Sequence, residues 1–212
     1  MHDLTPAELR VLGSLLEKQR TTPDAYPLSL NSLRLACNQS TNRDPVVEYD
    51  EATIRDALHH LGRRRWTRLT SGHSSRAAKY RHLLDEEQAL GVGREEQALL
   101  SVLMLRGPQT PGELLARTER LYHFDGAAEL HEVLEQLIER ELVARLERRP
   151  GQREERYAHL LGEDAEEVAA SGPADGGGGP VAEDRLSRVE RELEELRAQM
   201  ADLREALEQI SG

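Results

Sequence analysis

The sequence predicts a mainly helical fold with small antiparallel β-hairpins, built from one unit that occurs twice. Both predicted hairpins end in nearly the same strand, YRHLL at residues 80–84 and YAHLL at residues 157–161. The helix before each hairpin carries apolar residues at matching positions: Ile54, Leu58 and Leu61 in the first copy, and Leu130, Leu134 and Leu137 in the second. A helical unit that ends in a two-stranded wing is the pattern of a winged helix. The predicted fold class is therefore α+β, with two tandem winged-helix domains.

The first unit opens with a well-defined helix start. Thr5 is a suitable N-cap, Pro6 occupies the first helical position and Glu8 completes a capping box, so we expect a helix that reaches about Gln19. The two prolines within residues 21–27 exclude a helix there and restrict that stretch to an extended or turn conformation.

Two further helices and a hairpin complete the first unit. We expect the second helix over residues 28–37, followed by a polar loop, and the third helix from its cap Asp50 to about Arg64. Residues 66–70 and 79–84 then pair as the first wing.

The second unit repeats this order of elements. Its helices are expected near residues 93–106, 111–121 and 127–141. Its hairpin pairs residues 142–148 with 154–160 across a Pro-Gly turn.

Two segments follow the paired domains, whose predicted boundaries are 1–84 and 92–161. Residues 162–181 are acidic and glycine-rich, which is typical of a flexible, disordered tether. Residues 182–211 carry apolar residues in alternating steps of three and four, the a and d pattern of a coiled-coil helix. These positions are Leu186, Val189, Leu193, Leu196, Met200, Leu203, Leu207 and Ile210. We expect self-association as a parallel homodimer; the alternative is a lone amphipathic helix that folds back on the globular part.

Composition and charge restrict the classes of function. The formal net charge of the chain is −11, yet residues 1–84 carry 13 basic against 9 acidic side chains, so the first domain alone is mildly basic. The single Cys37 excludes an intramolecular disulfide and fits a reducing compartment. No apolar run approaches the ~18 residues of a membrane span. We therefore expect a cytoplasmic protein that does not bind a membrane.

Motifs in both halves resemble those of the YceH family of bacterial proteins. In the first half they are LEKQ at 16–19, TPD at 22–24, YPLS at 26–29, ACNQ at 36–39 and TNRDPV at 41–46. In the second half they are LRG at 105–107, QTPGEL at 109–114 and RRPGQRE at 148–154. The resemblance covers nearly the whole chain and implies tandem winged-helix domains with a C-terminal heptad helix. It implies no reaction and no catalytic or ligand-binding residues.

The first domain offers candidate contacts to DNA. In DNA-binding proteins of this type the third helix enters the major groove and the wing contacts phosphates. A solvated basic face is the alternative for the helix and wing, and a loop that satisfies its own backbone is the alternative for the polar loop. The predicted nucleic-acid contacts are Asn38, Gln39, Thr41, Asn42, Arg43, Arg55, Arg63, Arg64, Arg68, Arg76 and Lys79. Arg65 and Arg81 belong to the same basic patch around the wing.

The second domain is predicted to avoid DNA. The exposed side of its third helix carries carboxylates, which repel phosphates, so we predict a protein interface at Glu129, Glu132, Glu135 and Glu139. Our hypothesis for the partner is the arginine-rich second wing of another subunit, which includes Arg145.

The sequence gives no sign of catalysis. It contains no HExxH, CxxC, GxGxxG, GxxxxGK[ST] or GxSxG motif. His82 and His159 occupy equivalent strand positions, which favours a packing role in both wings, and Cys37 lies among apolar residues like a buried hydrophobe. We expect no enzyme, no cofactor, no metal site and no small-molecule substrate.

Two functions remain. The first is a DNA-binding, transcription-regulatory protein that contacts DNA through its first domain. The alternative is a protein-interaction scaffold without direct DNA binding, similar to the tandem winged helices of bacterial chromosome-segregation accessory proteins, with a protein partner that the sequence does not identify.

Overall fold

The computed structural model describes residues 2–70, 78–147 and 154–165, which belong to one compact unit of the chain. Within these residues the protein combines helices with small antiparallel sheets, as predicted. None of the helices there has both the length and the apolar character needed to cross a bilayer. The predicted coiled coil, most of the predicted tether and the tips of both hairpins lie outside the described residues.

The first copy contains three α-helices and three short strands. They are α1 (Pro6–Thr21), β1 (Leu28–Ser29), α2 (Leu30–Cys37), α3 (Glu51–Arg63), β2 (Thr67–Thr70) and β3 (Lys79–His82). Thr5 caps α1 through the predicted capping box with Glu8, and the Asp50 carboxylate accepts the Thr53 amide at the start of α3. Local capping chemistry therefore defines where both helices begin.

Two local predictions in the first copy are wrong. Helix α2 begins at Leu30 and not at residue 28. The two residues before it, Leu28 and Ser29, form strand β1, which pairs with β3, and Ser29 is also the N-cap of the helix. The β-sheet order is therefore β1-β3-β2. Pro23–Ala25 forms a single 3-10 turn although the prolines predicted no helix there; Pro23 is at the first position, which needs no N–H donor.

The second copy follows the same order. Its elements are α4 (Arg94–Arg106), α5 (Pro111–Thr118), α6 (Ala127–Glu139), β4 (Val143–Leu146) and β5 (Arg156–His159). A single bridge between Gln109 and Tyr157 takes the place of β1. The second copy thus keeps the plan of the first with a shorter third strand.

Details of the backbone repeat between the copies. The second residue after the third helix has a left-handed conformation in both, with φ of 61° at Arg65 and 55° at Glu141. The next amide then donates to the carbonyl five residues earlier, from Trp66 to Leu61 at 2.9 Å, and Leu142 makes the same bond in the second copy. This is a Schellman-type helix end, which turns the chain into the wing.

Helices α1 and α4 run antiparallel at the centre of one apolar core that extends through both copies. They are in tight contact at Gly13, where an added Cβ would lie 2.9 Å from Leu105 Cγ. The Ser101 hydroxyl donates to the Gly13 carbonyl at 3.1 Å. The absence of a side chain at residue 13 is therefore what allows the two helices to pack.

The beginning of each copy pairs with the end of the other. The Leu4 amide donates to the Leu161 carbonyl, and the Val92 amide donates to the Leu84 carbonyl, both at 2.9 Å. Leu4 and Val92 precede the first helix of their copies, whereas the two acceptors end the YxHLL strands. The contacts are reciprocal, so the two copies are related by an approximate twofold rotation.

Candidate nucleic-acid interface

The polar loop after α2 is held by hydrogen bonds within the protein. The Asn38 side chain donates to the Tyr49 carbonyl at 2.8 Å and accepts the Tyr49 amide at 2.9 Å. Asn42 Oδ1 accepts from Arg106, at the end of α4, at 2.9 Å. Thr41 is exposed. The loop therefore fixes its own backbone and also connects the first copy to the second.

Arg43 is the buried centre of this loop. Its guanidinium donates to both carboxylate oxygens of Glu17, at 3.1 and 2.7 Å, and to the Ala36 carbonyl at 3.1 and 2.8 Å. It also donates to Gln39 Oε1 at 2.9 Å. Burial raises the pKa of Glu17, but the hydrogen bonds and charge of Arg43 outweigh burial and leave that pKa below its ordinary value. The Arg43 side chain is thus bound inside the protein and is not presented at its surface.

Helix α3 presents a cationic stripe, which we define as Arg55 and Arg63 with the exposed His59 between them. These exposed residues are four positions apart and so share one face, opposite the apolar residues that enter the core. Arg55 has a long contact of 3.9 Å with Glu51, and both side chains are more than half exposed, so the pair is weak. Arg64 is not part of this stripe, because its guanidinium donates to the His2 carbonyl.

The outward face of the first hairpin is also cationic. Strand register places Arg68 directly opposite Arg81, with Lys79 two residues further along the same face. Thr67 and His82, on the other face, are buried, so the cationic wing face points away from the core. Like charges opposite each other destabilise a strand pair, and none of these three cations has a carboxylate partner within the described residues. This cross-strand opposition is what sequence analysis missed, because it depends on the register of the hairpin.

The inner faces of the two hairpins carry equivalent histidines. The Nδ1 atom of His82 accepts the Leu84 amide at 3.2 Å, and that of His159 accepts the Leu161 amide at 3.4 Å. His82 Nε2 also bonds to Gln19 Oε1 at 2.7 Å. Burial lowers the pKa of both imidazoles to about 4. These contacts are structural, in agreement with the packing role that their repetition suggested.

The second copy carries a different charge at the positions of the cationic stripe. On α6 these positions hold His131, Glu135 and Glu139, which are all exposed. Glu135 forms an ion pair with Arg145 of β4 in the same chain. The arginine that we expected to meet the acidic helix of another subunit is therefore paired within its own copy.

The second wing has also lost most of the cationic wing face. The positions of Arg68 and Arg81 hold Ala144 and Ala158, which lie opposite each other in β4 and β5. Arg156 alone is retained, at the position of Lys79. Among the described residues of the two hairpins, the opposed pair of arginines is thus found in the first copy.

The four residues of the predicted protein interface divide into two pairs. Glu129 accepts from the Tyr122 hydroxyl at 2.8 Å and from the Asp125 amide at 2.6 Å, so it stabilises the start of α6. Glu135 forms the ion pair with Arg145 of β4 that is described above. Glu132 and Glu139 are exposed on the same helix. The remaining predicted interface residues, 186–210, and the predicted contact Arg76 lie outside the described residues.

Two observations concern metal binding and the reactivity of the cysteine. No group of three or more His, Cys, Asp or Glu side chains is arranged to hold a metal ion in the part of the chain that the structure describes. Cys37 is buried, and burial raises the pKa of its thiol to about 11.

Comparison with known proteins identifies the family. Residues 4–152 match a family model described as a protein of unknown function, DUF480. The chain belongs to the DUF480 family. The membership that the YceH-like motifs predicted is confirmed.

Curated relatives of this DUF480 chain carry the name UPF0502 protein. One from Shewanella sp. (strain ANA-3) is 42% identical over 212 residues, which cover 98% of this chain and 97% of the relative. One from Azoarcus sp. (strain BH72) is 46% identical over 209 residues, covering 97% and 92%. One from Aeromonas hydrophila is 45% identical over 214 residues, covering 99% and 98%. DUF480 proteins of these bacteria therefore share the whole extent of this chain.

Proposed function

We propose that this DUF480 protein is a non-enzymatic DNA-binding protein of the transcription-regulatory type that contacts DNA through its first copy. We also propose that each copy is a winged helix. Three helices followed by a hairpin, with β1 added to the hairpin in the first copy, support that interpretation. In this arrangement α3 is the helix that enters the major groove, and β2 and β3 form the wing.

The observation that carries the proposal is the charge difference between equivalent surfaces. The two copies share their order of helices and hairpin strands, their apolar core positions and equivalent hairpin histidines, so the fold does not require any particular charge on the exposed faces. At those faces, Arg63 in the first copy corresponds to Glu139 in the second, and Arg68 corresponds to Ala144. A cationic helix stripe beside a cationic wing face is what phosphate binding needs.

Salt-dependent binding tests the proposal. The full chain is titrated into a fluorescein-labelled DNA duplex, and anisotropy is measured between about 50 and 200 mM KCl. We expect binding that weakens steeply with salt, because each phosphate contact releases counterions. A chain that does not bind near 50 mM KCl would contradict the proposal.

Matched variants test which surface of the protein contacts DNA. Arg63→Ala with Arg68→Ala removes one cation from the stripe and one from the wing face, and should lower the affinity by about tenfold or more at moderate salt. The control is Arg156→Ala in the second wing, which removes an arginine of the second copy and should change the affinity little. An equal loss in both variants would exclude the first copy as the specific contact.

Self-association is a further part of the proposal. Heptads at residues 186–210 would join two chains and place two basic surfaces on one duplex, which raises the affinity through effective concentration. Leu193→Asp with Leu196→Asp should convert the dimer to a monomer in light scattering. A wild-type chain that is already monomeric would remove this part of the proposal.

A protein-interaction scaffold is the second candidate function. It is supported by Glu132 and Glu139, which are exposed on α6 and have no basic partner within the described residues. Glu132→Lys with Glu139→Lys would abolish capture of a basic protein partner and leave DNA affinity the same or higher. DNA affinity that is absent in the wild type, together with partner capture that depends on these residues, would favour the scaffold.

A further inference from the structure

The side chains best suited to read bases in the first copy are bound within the protein. An Asn or Gln reads adenine through a pair of hydrogen bonds that uses both its oxygen and its nitrogen. Asn38 uses both atoms on the backbone of Tyr49. The oxygens of Gln39 and Asn42 accept from Arg43 and Arg106. Asn38 therefore cannot make the paired contact to adenine without breaking both bonds, and the bonds to Arg43 and Arg106 fix the orientation of the Gln39 and Asn42 amides.

The end of α3 that would approach the bases is acidic. In helix-turn-helix proteins the first residues of the recognition helix contact base edges. Here Glu51 and Asp56 are exposed in the first two turns, and the Asp50 carboxylate accepts the amide and the hydroxyl of Thr53, both at 2.8 Å. The phosphates that line the walls of the major groove repel these carboxylates, which opposes deep insertion of this end of the helix.

The cations lie where the phosphates would be. Arg63 is at the last turn of α3, and the cationic wing face follows directly in β2 and β3. Arg68 and Arg81 face each other at a cost to the free protein, and a phosphate placed between them would remove the repulsion. Duplex DNA fits this arrangement better than duplex RNA, whose deep and narrow major groove does not admit a helix.

We infer that the first copy holds double-stranded DNA by its phosphates and does not select a base sequence. This inference rests on the DNA-binding part of the proposed function and makes that part more specific: the ligand is the sugar–phosphate backbone of B-form DNA. Binding is then uniform along a duplex, and Arg55, the exposed arginine nearest the acidic end of α3, acts as a phosphate contact and not as a reader of guanine.

The test compares DNA sequences using the full chain. Two duplexes of about 30 base pairs with unrelated sequences are titrated across the same salt range as above, and a pool of randomised duplexes is taken through several rounds of selection. We expect dissociation constants that agree within about threefold, since one good base contact would already separate them by about tenfold or more. The selected pool should show no enriched motif.

Variants distinguish phosphate contacts from base contacts. Lys79→Ala should reduce the slope of log K against log salt by about 0.9 on both duplexes, which corresponds to one phosphate. Arg55→Ala should weaken binding to both duplexes by the same factor. The control Arg156→Ala should leave the slope unchanged.

Each contrary result has a separate meaning. An enriched motif, or an Arg55→Ala variant that loses affinity for one duplex only, would overturn this inference while the proposed function stands. Equal competition by duplex RNA would overturn the assignment to B-form DNA. No binding to any duplex near about 50 mM KCl would overturn the inference and the proposed function together.

Discussion

A buried arginine fixes the loop between α2 and α3. Arg43 offers its donors to Glu17, to the Ala36 carbonyl and to Gln39, and its side chain is fully buried. A buried arginine with this many partners holds the conformation of its loop. The concentration of polar side chains at residues 38–43 is therefore explained largely by the hydrogen bonds that hold the loop.

Removing Arg43 should be costly. We expect Arg43→Ala to lower the free energy of unfolding by about 3 kcal/mol, because the Glu17 carboxylate then loses its buried bidentate partner and keeps only Lys18, at 3.1 Å. Urea denaturation at pH 7 measures the loss. Arg55→Ala is the control, since its pair with Glu51 is exposed and should contribute less than about 1 kcal/mol. Similar losses in the two variants would mean that Arg43 is not the centre of the loop.

The buried histidines predict how stability depends on pH. The pKa of His82 is about 4 in the folded protein against 6.5 ordinarily, so the unfolded chain binds a proton that the folded protein does not. Its stabilising contribution is complete above about pH 6.5 and is lost as the pH falls toward 4, by roughly 2 kcal/mol between pH 7.5 and 5. His159 adds an effect of the same sign.

Urea denaturation at a series of pH values between 5 and 7.5 tests this prediction. His82→Gln should unfold with a flatter dependence on pH than the wild type, whatever its absolute stability. His123→Gln, at a histidine whose side chain is 68% exposed, should keep the wild-type dependence. A wild-type slope in His82→Gln would show that His82 is not the residue responsible.

Among the elements, the crossing of α1 and α4 depends on one glycine. Gly13→Ala should destabilise the protein by about 1–3 kcal/mol, because the new Cβ would lie 2.9 Å from Leu105 Cγ and 3.2 Å from Met104 Cβ. Gly62→Ala in α3 is the matched control. Its Cβ would meet only Thr67 Oγ1, at 3.9 Å, so it should stabilise by up to about 1 kcal/mol through helix propensity. Thermal unfolding followed by circular dichroism compares the two, and equal signs would contradict the packing described.

The starts of α1 and α3 could be read from local sequence, whereas pairing between distant residues could not. Thr5, Pro6 and Glu8 form a capping box within a few residues, so the beginning of α1 was predictable. Strand β1 was missed because Leu28 pairs with Tyr80, and no signal near residue 28 reveals that partner. A strand of two residues is specified entirely by its neighbour.

The same limit applies to the candidate site. Helical periodicity predicted Arg55 and Arg63 as exposed residues of α3, and the structure places them with His59 on one exposed face. The burial of Arg43 depends on Glu17, far away in the chain, and could not be predicted. The presence of cations on the wing could be predicted, but their positions opposite one another depend on the register of the hairpin.

At the scale of the molecule, the two copies should unfold together because they share one core. The single Trp66 reports on the first copy, and Leu134 is fully buried in the second. Leu134→Ala should cost about 2–5 kcal/mol and shift the urea midpoint of Trp66 fluorescence as far as it shifts circular dichroism. A Trp66 transition that stays at the wild-type urea concentration would mean that the copies unfold independently.

The reciprocal pairing of Leu4 with Leu161 and of Val92 with Leu84 gives this chain the arrangement of a homodimer within a single polypeptide. In a true homodimer one gene specifies both halves, so an arginine gained on one side appears on the other as well. When both halves belong to one polypeptide, their sequences can differ, and Arg63 in the first copy corresponds to Glu139 in the second. The result is an electric dipole across the approximate twofold axis. The electric field of a polyanion orients such a dipole so that the positive half of the protein faces the polyanion before contact. This orientation raises the fraction of productive collisions.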